Sequence, residues 1–458
     1  LGYPESGAAL RKAVELSERL PLSERLYIQA QRTWIPWTER ISTFERILKD
    51  YPEHEGALGL LGLLYRLVEN YDKAIERLDL AIRVNKRNSM YYIYLAAVYR
   101  AKGLYDKAEE ILATAIDNCD DDMGIHMSLS LTYACQGKYD LAFSELKKES
   151  DLFENKEMFL LYEGNIHLLG CDFSRAEKVY LEMVKSESPR PRFQGRYMLG
   201  NLYISKGDYE KAKKELDEAL KEGEDVENNL WISNSKILRA YADIEAGYVK
   251  RGLEYLNDYW RSRGSGAENS ALYFMWDIIF SLKNDNLEEA GEALEGYKEA
   301  RKKASNVRAT ERSTLYLQGA IELKKENYSE AITLLEEAVS LLPFQHHLGF
   351  EVSGVYMIRE TDPHCMYMSL LASAYCKKGD LDRARDVYEK ITDLTTGRLW
   401  DGDKYAKAFY MLGKIYEQRG WPGKAIGHYQ KFLEVWKDAD PGLPEVEDAK
   451  AKLASLKN

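Results

Sequence analysis

Residues 62–74 read GLLYRLVENYDKA, and residues 96–108 read AAVYRAKGLYDKA. The two stretches start 34 residues apart, and each puts a small residue first, a tyrosine three positions on and an alanine nine further. Ser130/Tyr133/Ala142 and Gly164/His167/Ala176 continue at the same interval. Looser copies follow at Gly200/Tyr203/Ala212, Ala240/Asp243/Gly252, Ile278/Ser281/Ala290 and Gly319/Glu322/Ala331. Two regular ones, Ala372/Tyr375/Ala384 and Gly413/Tyr416/Ala425, close the series. A pattern that holds its phase over so many units predicts a stack of helix pairs, each sheltering the flank of the next.

The residue types suit that geometry. Two antiparallel helices approach closely only where a side chain is small, so Gly62 and Ala74 are expected at the crossing of helices A and B, with the tyrosine wedged between them. Gly103, Gly207 and Gly379 fall between the helices, where glycine takes the left-handed conformation that ends a helix. In helix B, Ala74, Leu78 and Ala81, or Ala212, Leu216 and Ala219, follow the rhythm of one buried face. No strand pattern competes over any long stretch.

Outward from the regular copies, residues 21–54 keep the phase without the small residues and read as a degenerate first repeat, carrying Ile28, Phe44 and Ile47. Residues 1–20 hold a capping helix with Ala9, Ala13, Leu16 and Leu20 at helical spacing. Repeats one to eight fill residues 55–342 and repeats nine and ten fill 365–439. Residues 440–458 form a second cap, opened by Pro444. Repeats eight and nine are 53 residues apart, which leaves an apolar insert at 343–364 containing Phe350, Val355 and Tyr356. That insert is too apolar for a slack linker; it either folds over a groove to reach a partner or extends the local core.

Composition narrows the function. The formal charge of -11 disfavours a general nucleic-acid or anionic-lipid binder, because phosphate affinity depends on basic contacts. No apolar run reaches the ~18 residues of a membrane helix. Five cysteines without a CxxC pair read as packed thiols rather than a redox or zinc motif. His346, His347, His364 and Cys365 match no ligand spacing, so neither a metal nor another cofactor is expected. Walker, GxGxxG, HExxH and GxSxG motifs are missing, and the sequence offers no clustered polar site for catalysis. The chain opens on Leu1, which suggests a cut end or an upstream piece and leaves the compartment unread.

The residue types and the 34-residue period resemble the tetratricopeptide repeat family from about Pro21 to Val435. The resemblance implies an all-α, right-handed α-solenoid superhelix of about ten repeats with caps at both ends. In that family helix A lines a concave groove at fixed repeat positions. Carried over, these give Met90, Ile93, Arg100, Met127, Leu131, Met158, Leu161, Asn165, Tyr197, Asn201, Ile237, Tyr241 and Met275 as partner-binding residues. Asn165 and Asn201 match an asparagine of the family's carboxylate clamp, but Leu161 and Tyr197 stand where its lysine would be, so a clamp is not expected. Residues 388–457, with Leu22 to Tyr27, also resemble the C-terminal repeat regions of large bacterial serine/threonine kinases, whose catalytic motifs are missing here. The expected function is a non-enzymatic scaffold holding a protein or peptide segment in an apolar groove, as part of a bacterial signalling or assembly protein. The alternative is a structural protein whose repeats pack on other copies into an oligomer or filament.

Overall fold

The computed structural model describes residues 12–31, 36–119, 124–151, 153, 157–262, 270–302, 307–344, 364–395 and 397–457. Among them every regular element is a helix. The chain divides into two compact units. The first comprises Leu1–Phe153, Lys303–Thr310 and Pro343–Met357. After a single turn at Ser17–Arg19 it holds α1 (Leu22–Ala30), α2 (Trp37–Asp50), α3 (Glu55–Leu67), α4 (Tyr71–Val84), α5 (Ser89–Ala101), α6 (Tyr105–Asn118), α7 (Ile125–Cys135) and α8 (Tyr139–Asp151). The second comprises Glu154–Lys302, Glu311–Leu342 and Ile358–Asn458. It holds α9 (Glu157–Leu169), α10 (Phe173–Met183), α11 (Pro189–Ser205), α12 (Tyr209–Asp225), α13 (Asn229–Glu245), α14 (Val249–Ser262), α15 (Ala271–Lys283), α16 (Leu287–Arg301) and most of α17 (Val307–Lys324). It continues through α18 (Tyr328–Ser340), α19 (His364–Lys378), α20 (Leu381–Asp393), α21 (Gly397–Trp400), α22 (Gly402–Gln418), α23 (Pro422–Val435) and α24 (Pro444–Lys457).

A backbone device sets the register of the repeats. Seven positions after each small residue the chain adopts a positive φ: Glu69, Gly103, Gly137, Cys171, Gly207, Gly247, Asp285, Glu326, Gly379 and Gly420. One residue later an amide N–H donates back to the carbonyl of the second pattern residue, as from Asn70 to Tyr65, Asp172 to His167, Asn286 to Ser281 and Trp421 to Tyr416. This is the helix-ending motif that satisfies the last carbonyls of helix A. It is present even at Ile278/Ser281/Ala290 and Gly319/Glu322/Ala331, where the side-chain pattern is weakest. Side chains then start helix B: Asn70, Asp172, Asp208 and Asp380 each accept from the amide three residues on.

The small residue makes room for a side chain one turn beyond the alanine. A Cβ at Gly62 would stand 2.5 Å from Leu78 Cγ, and one at Gly200 would stand 2.5 Å from Leu216 Cγ. The tyrosine does more than wedge. Tyr133 donates to Glu109 at 2.9 Å, Tyr203 donates to Glu177 at 2.9 Å, and Tyr65, Tyr375 and Tyr416 donate to Glu45, Glu336 and Glu389. Each acceptor lies on helix B of the preceding pair, so the hydroxyl ties one repeat to the next. A cation covers the ring: Lys73 over Tyr65, Lys107 over Tyr99, Lys211 over Tyr203, Arg383 over Tyr375 and Lys424 over Tyr416. Burial, and then the neighbouring carboxylate, push the Tyr133, Tyr375 and Tyr416 phenols up to about 12.

Where the tyrosine is lost, another solution appears. Asp243 takes its place in α13, almost wholly buried, and receives Arg239 and Arg251. In the first unit the core runs from Phe44 and Ile47 through Leu58, Leu61, Leu78 and Tyr91 to Leu95. In the second, Ile237, Leu256, Tyr259, Trp260, Trp276 and Phe280 close on one another.

Candidate partner-binding walls

Within each unit the A helices also touch one another, α3 against α5 and α5 against α7 in the first, α9 against α11 and α11 against α13 in the second. These rows are the two walls on which the sequence places its candidate residues. On the first wall Met90 is 43% exposed, and Ile93 and Met127 are half-buried. Leu131 is buried. Arg100 is buried too, donating from Nη1 to the Ser128 carbonyl, Ser128 Oγ and Thr132 Oγ1 at 3.2, 2.9 and 3.0 Å. It is therefore a strut between α5 and α7 rather than a side chain offered to a ligand. The start of α7 is held by the buried Glu149, whose carboxylate accepts from the amides of Gly124 at 2.6 Å and Met127 at 3.2 Å. Burial raises the Glu149 pKa in spite of those amides.

The second wall is built differently. Leu161, Asn165, Tyr197, Asn201 and Ile237 are all buried, while Tyr241 and Met275 are half-buried. Asn165 accepts from Tyr180 at 2.7 Å within its own repeat, and Ile237 sits in the aromatic core of α13 to α15. Asn201 and Tyr241 face a segment of the same chain. Asn201 Nδ2 donates to the Leu399 carbonyl at 2.5 Å, and the Tyr241 hydroxyl donates to Asp403 at 2.5 Å. Arg398 donates to the Leu169 carbonyl at 2.7 Å, and Cys171 Sγ stands 3.6 Å from the Tyr405 hydroxyl. Thus α21 and the start of α22 lie against α9, α11 and α13.

An ionic cluster completes this contact. Glu245, whose side chain is only 8% exposed, receives Lys407 at 2.8 Å, Lys404 at 3.5 Å and Lys283 at 3.8 Å. Lys404 also pairs with Asp403 at 3.1 Å and Lys407 with Glu445 at 3.4 Å. Burial alone would raise the Glu245 pKa, but the lysines hold it well below the usual carboxylate range. Burial would lower both lysines, and Asp403 and Glu245 raise them instead. A second grip lies farther along, where the Trp436 indole N–H donates to the Ser205 carbonyl at 3.0 Å and the Asp440 amide donates to the Gly207 carbonyl at 3.0 Å.

The side chain of Met158, and Phe350, Val355 and Tyr356 of the insert, lie outside the described residues. Sequence reasoning missed the polar segment 398–407 altogether. Its Asp403, Lys404 and Lys407 belong to no recurring pattern, and a Cβ at Gly402 would run into Ser205.

Family models described as tetratricopeptide repeat match residues 60–123, 193–222 and 369–444. Together these stretches cover less than half of the chain. Proteins with such repeats typically serve as non-catalytic protein-interaction scaffolds. No curated protein matches the sequence. Among solved structures, yeast Tom70 is similar at 14% identity, over 99% of this chain and 96% of that one, with a TM-score of 0.36. A tetratricopeptide repeat protein from Parabacteroides merdae shows 15% identity over 66% of this chain and 99% of its own, with a TM-score of 0.37. A monomeric mutant of IFIT1, solved with Gppp-AAAA, shows 16% identity over 81% of this chain and 82% of its own, with a TM-score of 0.41. Similarity at this level says nothing about what the present repeats hold. Among the described residues, no helix is long and apolar enough to cross a membrane.

Proposed function

We propose that the protein is a non-enzymatic scaffold that holds an apolar protein segment on the A-helix wall of its first unit. One observation carries the reading: Met90 stands exposed on α5, on the same wall as the half-buried Ile93 and Met127. Thioethers and branched aliphatic side chains at helical spacing form an adaptable surface for an apolar helix or extended segment. Leu131 and Arg100 support that surface from beneath. The insert residues Phe350, Val355 and Tyr356 belong to the proposal as an additional apolar contact for the same partner. A place in a bacterial signalling or assembly protein rests on the resemblance of residues 388–457 to kinase repeat regions.

The test is a photo-crosslinker placed at Met90 and, as control, at the exposed Leu141 of α8. The partner joined from position 90 should be retained at least tenfold less by a Met90→Asp, Ile93→Asp double variant of unchanged helicity. Equal retention rejects the wall. A second reading, association with other copies, has its own observation: Leu16, Leu20 and Leu22 are 57%, 43% and 52% exposed close together in the chain. Polymers that grow with concentration in light scattering would favour it, and a constant mass would exclude it.

A further inference from the structure

The contact of α21 and α22 with the second wall joins groups 159 to 234 residues apart, and its chemistry is that of recognition. The wall presents an amide at Asn201, a hydroxyl at Tyr241 and a carboxylate at Glu245. The segment answers in order with the Leu399 carbonyl, the Asp403 carboxylate, and the ammonium groups of Lys404 and Lys407. Arg398 adds a bond to the Leu169 carbonyl at one edge. The carbonyls, carboxylates and ammonium groups of the contact regain water when it opens, while Leu399, Tyr405 and Ala406 of the same segment give up buried apolar surface. Trp436 and Asp440 grip the turn between α11 and α12 next to it, with Lys407 over the Trp436 ring. These bonds hold the C-terminal block from residues outside the segment 398–407.

We propose that residues 398–407 are the resident ligand of a protein-recognition site and act as an autoinhibitory latch. A partner segment carrying the same order of groups, an arginine, a main-chain carbonyl, an acid and two lysines, takes the wall by displacing them. The inference goes beyond the reading above, which concerns the first unit, and its outcome is separate. Gly402 supplies the means to test it. Alanine is a good helix residue at the start of α22, yet its Cβ collides with Ser205, so Gly402→Ala pushes the resident segment out without removing a charge.

The probe is a fluorescein-labelled peptide of residues 396–409, TGRLWDGDKYAKAF, titrated into the full chain and followed by polarisation. Binding to Gly402→Ala should be at least tenfold tighter than to the unchanged protein, and adding Tyr241→Phe with Glu245→Gln to the wall should remove the gain. Amides of residues 398–407 should exchange at least tenfold faster in Gly402→Ala, with α6 unaltered. Equal peptide binding by both proteins overturns the proposal. So does unfolding of the whole second unit by Gly402→Ala, which would make the segment core. Lys407→Gln repeats the test without a steric change, since that side chain keeps 21% exposure; an intact fold with no gain in peptide binding again overturns it.

Discussion

The two units use the same repeat and treat their walls in opposite ways. In the first, intervals of 34 residues are kept through three copies, neighbours touch neighbours, and the A-helix wall shows thioether and aliphatic side chains. In the second, the spacing loosens, and α21 and α22 come back onto the wall of α9, α11 and α13. The stacking rule is local, so it is satisfied equally by both. What distinguishes them is a handful of polar residues, Asn201, Tyr241 and Glu245, at positions where the first wall has Ala97 and other apolar side chains. The polar groups of the second wall meet polar groups of a segment from the same unit.

The largest expected effect comes from breaking the polar contact outright. Glu245→Ala takes from the half-buried Lys404 and Lys407 the acid they share and leaves them Asp403 and Glu445, so the loss should be at most the ~3–5 kcal/mol of a broken buried ion pair. Denaturant unfolding should show the second unit weakened by up to that amount and the first unaffected. If both weaken together, the division of the molecule into two energetic units fails. Next come Gly62→Leu and Gly200→Leu, which force a side chain against Leu78 and Leu216 at the same ideal distance. Each should cost about 1–3 kcal/mol in its own unit, and a larger loss at position 200 would show that the latch amplifies lesions in the stack behind it.

Smaller effects sharpen the comparison. Tyr133→Phe in the first unit and Tyr203→Phe in the second remove the same inter-repeat hydrogen bond, each worth about 1 kcal/mol, and thermal melts should return similar losses. A pH series separates the latch from the stack. Glu245 titrates below its ordinary 4.5 and Lys404 and Lys407 above their ordinary 10.5. Their contribution is therefore complete between those two values. It is lost as pH falls through the depressed carboxylate pKa or rises through the elevated lysine pKa values. The smallest effect is expected at Asp277, where burial and then Glu289 raise the carboxyl from 3.8 to about 6. Its folded pKa lies above its unfolded one, so its contribution is present below 3.8 and lost as pH passes 6. Asp277→Asn should stabilise the second unit at pH 7 by up to about 1 kcal/mol after solvent screening, and give no benefit in acid; a gain independent of pH would refute this origin.

The ten-repeat register was legible because what recurs is a backbone requirement. Even where Ser281 or Glu322 replaces tyrosine, the chain turns left-handed seven residues after the pattern begins, and after Ser281 the Asn286 side chain starts the next helix. The role of the small residue was read one turn short, since Gly62 yields to Leu78 as well as lying near Ala74. The tyrosine's reach to the preceding repeat was also missed, because its acceptors, Glu45, Glu109, Glu177, Glu336 and Glu389, fall at no constant interval from it. The latch had no sequence signal of its own. Periodicity reports neighbours, and the partners of Asn201 and Tyr241 are 198 and 162 residues away. Arg100 was assigned to the wall by its place in the repeat, but a long side chain on a close-packed helix can fold back, and Ser128 and Thr132 gave it somewhere to go.

One consequence concerns mechanical load. An ordinary array of repeats peels from its ends, because each terminal pair is held by one neighbour alone. Here a pull on the carboxyl end, once past α24, meets Trp436 seated on the turn after Ser205 and the lysines gathered at Glu245, so α23 is held from the middle of the sequence. Force applied there is shared by helices in the middle of the sequence, and rupture should come as one abrupt event rather than as a series of small steps.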